Sequence, residues 1–293
     1  RIVQAAGGVA GMVLARAVIR DVYDRDRSAT MIAYVTMAMV VAPMIAPVLG
    51  GFLTDAAGWR VVFVLGGAVG LVVLLAVWAD LRETAPRIGE TTSVAAMVAD
   101  FKGLLRSRAF VALTLLAGFS LAVFFGFLAG APYLTITVYG RPPSEYGLFF
   151  IMVSAAFMAG NFVAARTTRR IGIERMIVIG CTGSLAGTLI SLSLALGGVW
   201  TPWAIFLPTV LGAFSQGLAM PNTMAAVVSV NPLLAGSASG LAGFVQMAIA
   251  ATVAQAVGSI QNGTPYPIVV GMTVCAAAAF LCALVALAAR SRA

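Results

Sequence analysis

The stretch AYVTMAMVVAPMIAPVLGG, residues 33–51, decides the class of fold that this chain adopts. It is apolar and close to the ~20 residues that a helix needs to cross the hydrocarbon core of a membrane. Pro43 and Pro47 each remove a backbone donor and predict a bent helix. The glycine pair at residues 50–51 exposes backbone against which a second helix can pack closely. A bent, closely packed membrane helix favours transport, because moving halves need a tight contact that can rock.

The composition of the whole chain supports a membrane protein. Of the 293 residues, 61% are hydrophobic and only 10% are charged. The apolar runs are about 20 residues long and lack strict alternation, which indicates helices and excludes the short strands of a barrel. The chain has no histidine, and its three cysteines lie in apolar runs at no metal-ligand spacing. We therefore expect an all-α membrane protein, not an enzyme, with no catalytic residue, no cofactor and no metal site.

Nine membrane spans are predicted from the apolar runs. They cover residues 1–19, 29–52, 59–79, 109–131, 146–165, 175–196, 203–226, 236–258 and 266–289. The longest connection, residues 80–108, is rich in charge. Within it Val94, Met97, Phe101 and either Leu104 or Leu105 recur at helical spacing, which predicts a short amphipathic helix on the membrane surface.

The charge distribution predicts the orientation of the spans. Alternate connections carry almost all of the lysine and arginine, whereas the other set carries only Arg60 and Arg141. Basic residues hold loops on the cytoplasmic side, so the C-terminus is predicted to be cytoplasmic. The net charge of +8 has the same origin, and we expect no nucleic-acid partner. An odd number of spans, beginning at Arg1 near the outer face, predicts that further N-terminal sequence belongs to this protein.

Three segments carry a resemblance to a known family. They are RIVQAAGGVAG at residues 1–11, the pattern AxxxAPxxGG at residues 42–51 and WADLRET at residues 78–84. Together they resemble helices four, five and six of the major facilitator superfamily. The second segment resembles that superfamily's antiporter motif. Its alanine-rich form, with the charged loop RDVYDRDRSA at residues 20–29, is most similar to the bicyclomycin/chloramphenicol-resistance (Bcr/CflA) drug exporters.

The resemblance implies a major facilitator fold in which this chain supplies helices four to twelve of twelve. Residues 1–79 would then be part of an N-terminal bundle, and residues 80–108 the cytoplasmic central loop. Residues 109–289 would form a complete C-terminal six-helix bundle, with a cytoplasmic tail at residues 290–293. We expect the first three helices to be absent from the chain, and a chain without them to be unable to transport.

The function implied by the resemblance is drug efflux from the bacterial inner membrane. A monomer would expel small apolar or amphipathic drugs in exchange for protons, by alternating access within the lipid bilayer. The alternative within transport is a different small solute, such as a sugar or an organic acid, taken up or exported. A membrane-embedded enzyme would need clustered catalytic side chains, and a channel would need re-entrant segments. The sequence shows neither pattern.

Candidate site residues in the first spans follow from the resemblance. Arg1 and Gln4 match the superfamily's proton-linked arginine segment, although Arg1 could simply reach the headgroups. The antiporter motif supplies a set of small residues and a proline, namely Ala42, Ala46, Pro47, Gly50 and Gly51. In the family this helix meets helix eight, which here offers the small residues Ser154, Ala155, Ala156, Ala159 and Gly160.

Candidate residues in the later spans are a few polar and aromatic side chains. We expect the substrate cavity to be lined by Phe119, Asn161, Gln216, Asn222 and Gln246. Each amide could instead hydrogen-bond a neighbouring helix, and Phe119 could face lipid or core. The cytoplasmic gate is assigned to Arg166, Arg169 and Arg170, for which simple anchoring of the loop is the alternative. No acid lies at the centre of any predicted span, so the proton-binding carboxylate is expected upstream of residue 1.

Overall fold

The computed structural model describes residues 45–80 and 94–290 continuously, together with the isolated positions 7, 11, 15, 18, 19, 22, 31 and 35. The chain divides into two compact units, Arg1–Thr91 and Thr92–Ala293. In the first unit, helix α1 covers Ile45–Ala57 and helix α2 covers Arg60–Asp80. Gly58 joins them at φ +80°, and its N–H donates to Thr54 O at 2.9 Å. Glycine adopts this conformation without strain, which is why α1 ends there.

The second unit begins with an amphipathic helix and continues with six long apolar helices. These are α3 (Val94–Arg106), α4 (Arg108–Tyr133), α5 (Pro143–Ile171), α6 (Ile173–Leu196), α7 (Pro202–Ser229), α8 (Ala235–Ser259) and α9 (Tyr266–Arg290). Ser107 separates α3 from α4, and its Oγ caps α4 by accepting from Phe110 N at 3.3 Å. A π-helical turn, Leu134–Val138, extends α4 beyond Pro132.

Helix α4 lies at the centre of the second unit. It packs against α7, α8 and α9, while α7 also packs against α5 and α6, and α6 against α9. One end of the core is aromatic, with Phe127, Phe150 and Phe206 almost completely buried. The other end is built on Leu104 of α3 and Phe110 of α4. Burial of Leu104 fixes α3 to the end of the bundle, since only 2% of its surface stays exposed.

Glycines line the contacts of α7 with α5 and α6. A Cβ on Gly160 of α5 would overlap Phe214 O, and a Cβ on Gly217 of α7 would overlap Phe157 O. On the other side, a Cβ on Gly187 of α6 would lie 2.7 Å from Pro208 O. Membrane helices associate largely through such close backbone contact, because lipid provides no hydrophobic force between them.

The predicted elements agree well with those observed. Among the described residues, seven helices are long and apolar enough to cross a membrane, and each overlaps a predicted span. Their bounds agree closely, except that α4 with its π-helical turn continues to Val138 beyond the predicted end at 131, and α5 to Ile171 beyond 165. The predicted amphipathic helix is confirmed as α3. The first two predicted spans lie largely outside the described residues. Within the stretch 45–80, helix α2 has no buried residue and only Val61 partly buried, so most of its apolar surface is exposed.

Candidate functional site

Gln216 connects three helices inside the second unit. It projects from α7, and its Nε2 donates to Ser120 O of α4 and to Ser184 Oγ of α6, both at 3.2 Å. The residue is buried, and among the described residues its Oε1 receives no hydrogen bond. This geometry is that of a polar cross-link between helices. Whether Gln216 also lines the substrate cavity stays a prediction.

Gln246 and Asn222 are buried as well, but their partners differ. Gln246 of α8 donates to Ala117 O of α4 at 3.3 Å and to Met220 Sδ of α7 at 3.9 Å, so it also joins three helices. Asn222 donates to Leu218 O of its own helix at 2.8 Å. Asn161 of α5 likewise bonds within its helix, to Phe157 O at 2.9 Å. The role of these three residues in substrate binding stays a prediction.

Phe119 is half-buried on α4 and packs against both ends of the core. Ser120 and Ala117, the acceptors of the two glutamine bonds, lie beside it on the same helix. Ser120 and Ser184 were not predicted from the sequence. The signal that could have found Ser184 is its position in a run of small residues, where a hydroxyl is close enough to reach a facing helix.

The three candidate gate arginines lie at the C-terminal end of α5. Arg166, Arg169 and Arg170 are exposed within the second unit. The Arg166 guanidinium lies over the Phe162 ring, 3.9 Å from its centroid, and Arg169 and Arg170 occupy the last turn. Positive charge there is favourable because the carbonyl end of a helix is partly negative. Their function as a gate stays a prediction.

Part of the antiporter motif is described, in helix α1. Ala46 is exposed, Pro47 and Gly50 are partly buried, and Gly51 is buried. No described atom lies within 4 Å of the position that a Cβ would take on Gly50. Arg1, Gln4 and Ala42 lie outside the described residues.

Gly160 differs from its expected role. It was grouped with the small residues of α5 that would face the antiporter helix, but it packs against Gly217 of α7 inside the second unit. Ala155 and Ala159 remain exposed on α5. Small residues therefore occur on two faces of α5, and only one face is used within the unit.

A small pocket that was not predicted from the sequence lies at the N-terminal end of α5, opposite the end that carries Arg166, Arg169 and Arg170. Its volume is about 250 Å³, and its walls come from the α4–α5 and α6–α7 connections. No cluster of three His, Cys, Asp or Glu side chains that could hold a metal occurs among the described residues.

Comparison with known proteins identifies the family. A model described as Major Facilitator Superfamily matches residues 1–255. This chain belongs to the Major Facilitator Superfamily. A bacterial homolog of the human lysosomal transporter Spinster, in an inward-facing, unoccupied conformation, has a similar fold. The TM-score is 0.63 at 18% identity, over 94% of this chain and 74% of that structure.

Curated relatives of this superfamily member include transporters named for drugs. It is 27% identical over 278 residues to a bicyclomycin resistance protein homolog from Haemophilus influenzae, covering 94% of the chain and 69% of that relative. It is 26% identical over 233 residues to the multidrug transporter MdfA of Yersinia pestis, and this match covers 80% of the chain but only 57% of MdfA. These similarities and the apolar helices identify a multi-pass bacterial membrane protein of a transporter family, with drug exporters of the Bcr/CflA type among its relatives.

Proposed function

We propose that this superfamily member exports small apolar or amphipathic drugs across the bacterial inner membrane, in exchange for protons. The observation that carries the proposal is the similarity, over 94% of the chain, to a bicyclomycin resistance protein homolog. The apolar character of the six-helix unit supports it. Among the described residues of the second unit, Glu145 and Glu174 lie in the first turns of α5 and α6, and Asp100 lies on the amphipathic helix α3. Such helices offer few charged groups that could bind the hydroxyls of a sugar or the carboxylate of an organic acid.

The packing of the second unit supports alternating access. In that mechanism two halves rock as rigid bodies around a central site. The second unit has the required rigidity, because glycine contacts hold α7 between α5 and α6 and the Gln216 amide joins α7 to α4 and α6. In the proposal, Phe119, Asn161, Gln216, Asn222 and Gln246 border the drug path.

The remaining candidate residues take the roles that the family resemblance gives them. The antiporter helix, with Ala42, Ala46, Pro47, Gly50 and Gly51, packs closely against the other half and seals the cytoplasmic or periplasmic leak path as the halves rock. Arg166, Arg169 and Arg170 hold the cytoplasmic gate, and Arg1 with Gln4 lies near the proton path. An acid that couples transport to protons must lie within the membrane. No acid lies at the centre of a predicted span, so the titrating carboxylate is assigned to none of the helices described above.

Drug accumulation in living cells tests the proposal. The full-length protein, with all twelve expected helices, is expressed in a bacterial host that lacks its own drug pumps, and the host is loaded with a fluorescent amphipathic dye. We expect lower steady-state dye in expressing cells than in cells with an empty vector, and equal dye in both after a protonophore is added. Equal accumulation without the protonophore, at a verified membrane level of the protein, would contradict export. Proton-dependent movement of a sugar or an organic acid instead would favour the alternative.

Gly50→Leu is the variant that tests the close packing of the antiporter helix against the other half. Leucine meets no described atom of the first unit within 4 Å of its Cβ position, so we expect normal insertion. We expect export to be lost, because the bulky side chain keeps the partner helix away. Normal export by this variant would exclude Gly50 from the contact while leaving the proposed function intact.

A further inference from the structure

The pocket between the α4–α5 and α6–α7 connections lies at the level where membrane spans end. Span residues stop at Val138, begin at Pro143, stop at Leu196 and begin again at Pro202. This is the depth at which phospholipid headgroups meet a membrane protein. With a volume of about 250 Å³, the pocket suits a small polar group better than a complete drug molecule.

Two tryptophans form the aromatic wall of the pocket. The Trp200 indole N–H donates to Ala195 O at 3.1 Å, and its ring meets Tyr266 edge-on at 5.9 Å. Trp203 meets Phe149 edge-on at 5.0 Å, yet 55% of Trp203 is exposed. Both rings are thus held in place with accessible faces, and such faces attract alkylammonium groups.

Charged and hydroxyl groups form the rest of the pocket. Arg141 Nη1 and Glu145 Oε2 are 3.9 Å apart, beyond hydrogen-bonding distance, so both retain capacity for another partner. The Tyr139 hydroxyl is buried and makes no hydrogen bond within the described part of the chain. Burial raises the pKa of Tyr139, so its hydroxyl stays protonated and can donate at neutral pH.

An ordinary interfacial belt of aromatic residues explains only part of this arrangement. Tryptophan is common at both membrane surfaces without binding any particular lipid. A belt does not require a buried phenol without a partner beside an arginine and a carboxylate. Such a group costs free energy unless something accepts its hydrogen bond.

We propose that this pocket binds the zwitterionic headgroup of a phosphatidylethanolamine molecule. The phosphate accepts hydrogen bonds from the Arg141 guanidinium and, once the Tyr139 side chain turns toward the pocket, from its hydroxyl. The ammonium lies against Trp203 and pairs with Glu145. The two charged residues and the two charges of the headgroup match in sign, and arginine is well suited to phosphate because it offers several donors in one plane. The inference is independent of what the protein transports.

Native mass spectrometry of the purified protein tests the site. The protein is equilibrated with equal amounts of phosphatidylethanolamine and phosphatidylglycerol, and retained lipid is counted by mass. We expect preferential retention of phosphatidylethanolamine. Tyr139→Phe and Arg141→Gln should each weaken retention of both lipids about tenfold, the effect of losing one charge-assisted hydrogen bond. Glu145→Gln should abolish the preference between the lipids without lowering phosphatidylglycerol retention.

Arg60→Gln is the matched control, since Arg60 also lies over a tryptophan, 4.7 Å from the Trp59 ring centroid, but outside the pocket. It should retain both lipids as the wild type does. Wild-type retention in both Tyr139→Phe and Arg141→Gln would overturn the proposal. Displacement of the lipid by millimolar phosphoethanolamine would assign the pocket to a soluble zwitterion, and displacement by tetraphenylphosphonium to an organic cation. Tyr139→Phe preserves the aromatic packing and decides the question if Arg141→Gln does not fold.

Discussion

At the scale of single residues, Gln216 shows how a polar side chain is stabilised inside an apolar bundle. Its amide reaches a carbonyl on α4 and a hydroxyl on α6, so one residue fixes the mutual position of three helices. Asn222 lies on the same helix and is equally buried, but its amide bonds only to its own helix. The two residues therefore form a natural pair for comparison.

Gln216→Met should lower the stability of the protein by about 1 kcal/mol, in the range of measured hydrogen bonds between membrane helices. Asn222→Leu should cost less, because Leu218 O already accepts a backbone hydrogen bond within α7. Thermal unfolding in detergent measures both variants against the wild type. Equal losses in the two variants would contradict the cross-linking role, and a changed drug profile at unchanged stability would favour a cavity role for Gln216.

At the scale of helices, the crossing of α5 and α7 depends on two glycines that face each other. Gly160→Ala and Gly217→Ala should each destabilise the protein by about 1–3 kcal/mol, the usual cost of overpacking. The reason is that an added methyl group overlaps a backbone carbonyl, which cannot move aside.

Gly243→Ala on α8 is the control for these substitutions. No described atom lies within 4 Å of its Cβ position, and alanine is the better helix former. Its melting temperature in detergent should equal or exceed that of the wild type. Wild-type stability in Gly160→Ala would contradict the close crossing.

Helix α3 is attached to the bundle by a hydrogen bond as well as by Leu104. The hydroxyl of Ser237, on α8, donates to the Asp100 carboxylate at 2.9 Å. Lys102, the single lysine of the chain, follows two residues after Asp100 and is exposed. A lysine-specific protease therefore reports on how often α3 opens.

Ser237→Ala should speed cleavage after Lys102 about 3- to 10-fold, since a hydrogen bond to a charged group is lost. Ser239→Ala is the control, because that hydroxyl bonds only to Gly236 O of its own helix. Its cleavage rate should match the wild type, as followed by gel electrophoresis. The same rate in both variants would show that Leu104 alone holds α3.

At the scale of the whole molecule, the charge distribution makes a prediction about orientation. Lys102 should react with a membrane-impermeant amine reagent in inside-out vesicles but not in right-side-out vesicles, because its loop is predicted to be cytoplasmic. The double variant Lys102→Arg/Asn262→Lys moves the amine to the exposed α8–α9 connection and should reverse the result. Mass spectrometry of the labelled peptide gives the answer, and labelling of Lys102 from the outside would contradict the orientation.

The sequence predicted the helices better than their partners. Long uncharged runs bound the six helices from α4 to α9 closely, except at the C-terminal ends of α4 and α5, because the membrane thickness fixes their length. The same pattern carries no information about which helix meets which. Gln216 and Ser120 are 96 residues apart, and a polar residue in an apolar run predicts only that some partner exists. Gly160 was misassigned for the same reason, since a stripe of small residues fits any close neighbour.

The pocket that we assign to a headgroup was missed for a related reason. Arg141 appears in the sequence only as one of two basic residues on the predicted outer side. Only the fold brings the two connections together, with Tyr139 buried between them. Pattern analysis locates residues along the membrane normal, but not around the circumference of a bundle.

The contact of α6 with α7 has a mechanical consequence. Gly180 and Gly187 are about 10 Å apart along their helix, and a Cβ on either would lie within 3 Å of a carbonyl oxygen of α7. A contact between backbone atoms involves no side-chain rotamers, so this interface cannot adjust gradually by repacking when α7 is displaced. The part of α7 between these two contacts, Pro208 to Ser215, is therefore held rigidly against α6, and Pro221 beyond it is the position where the helix can bend.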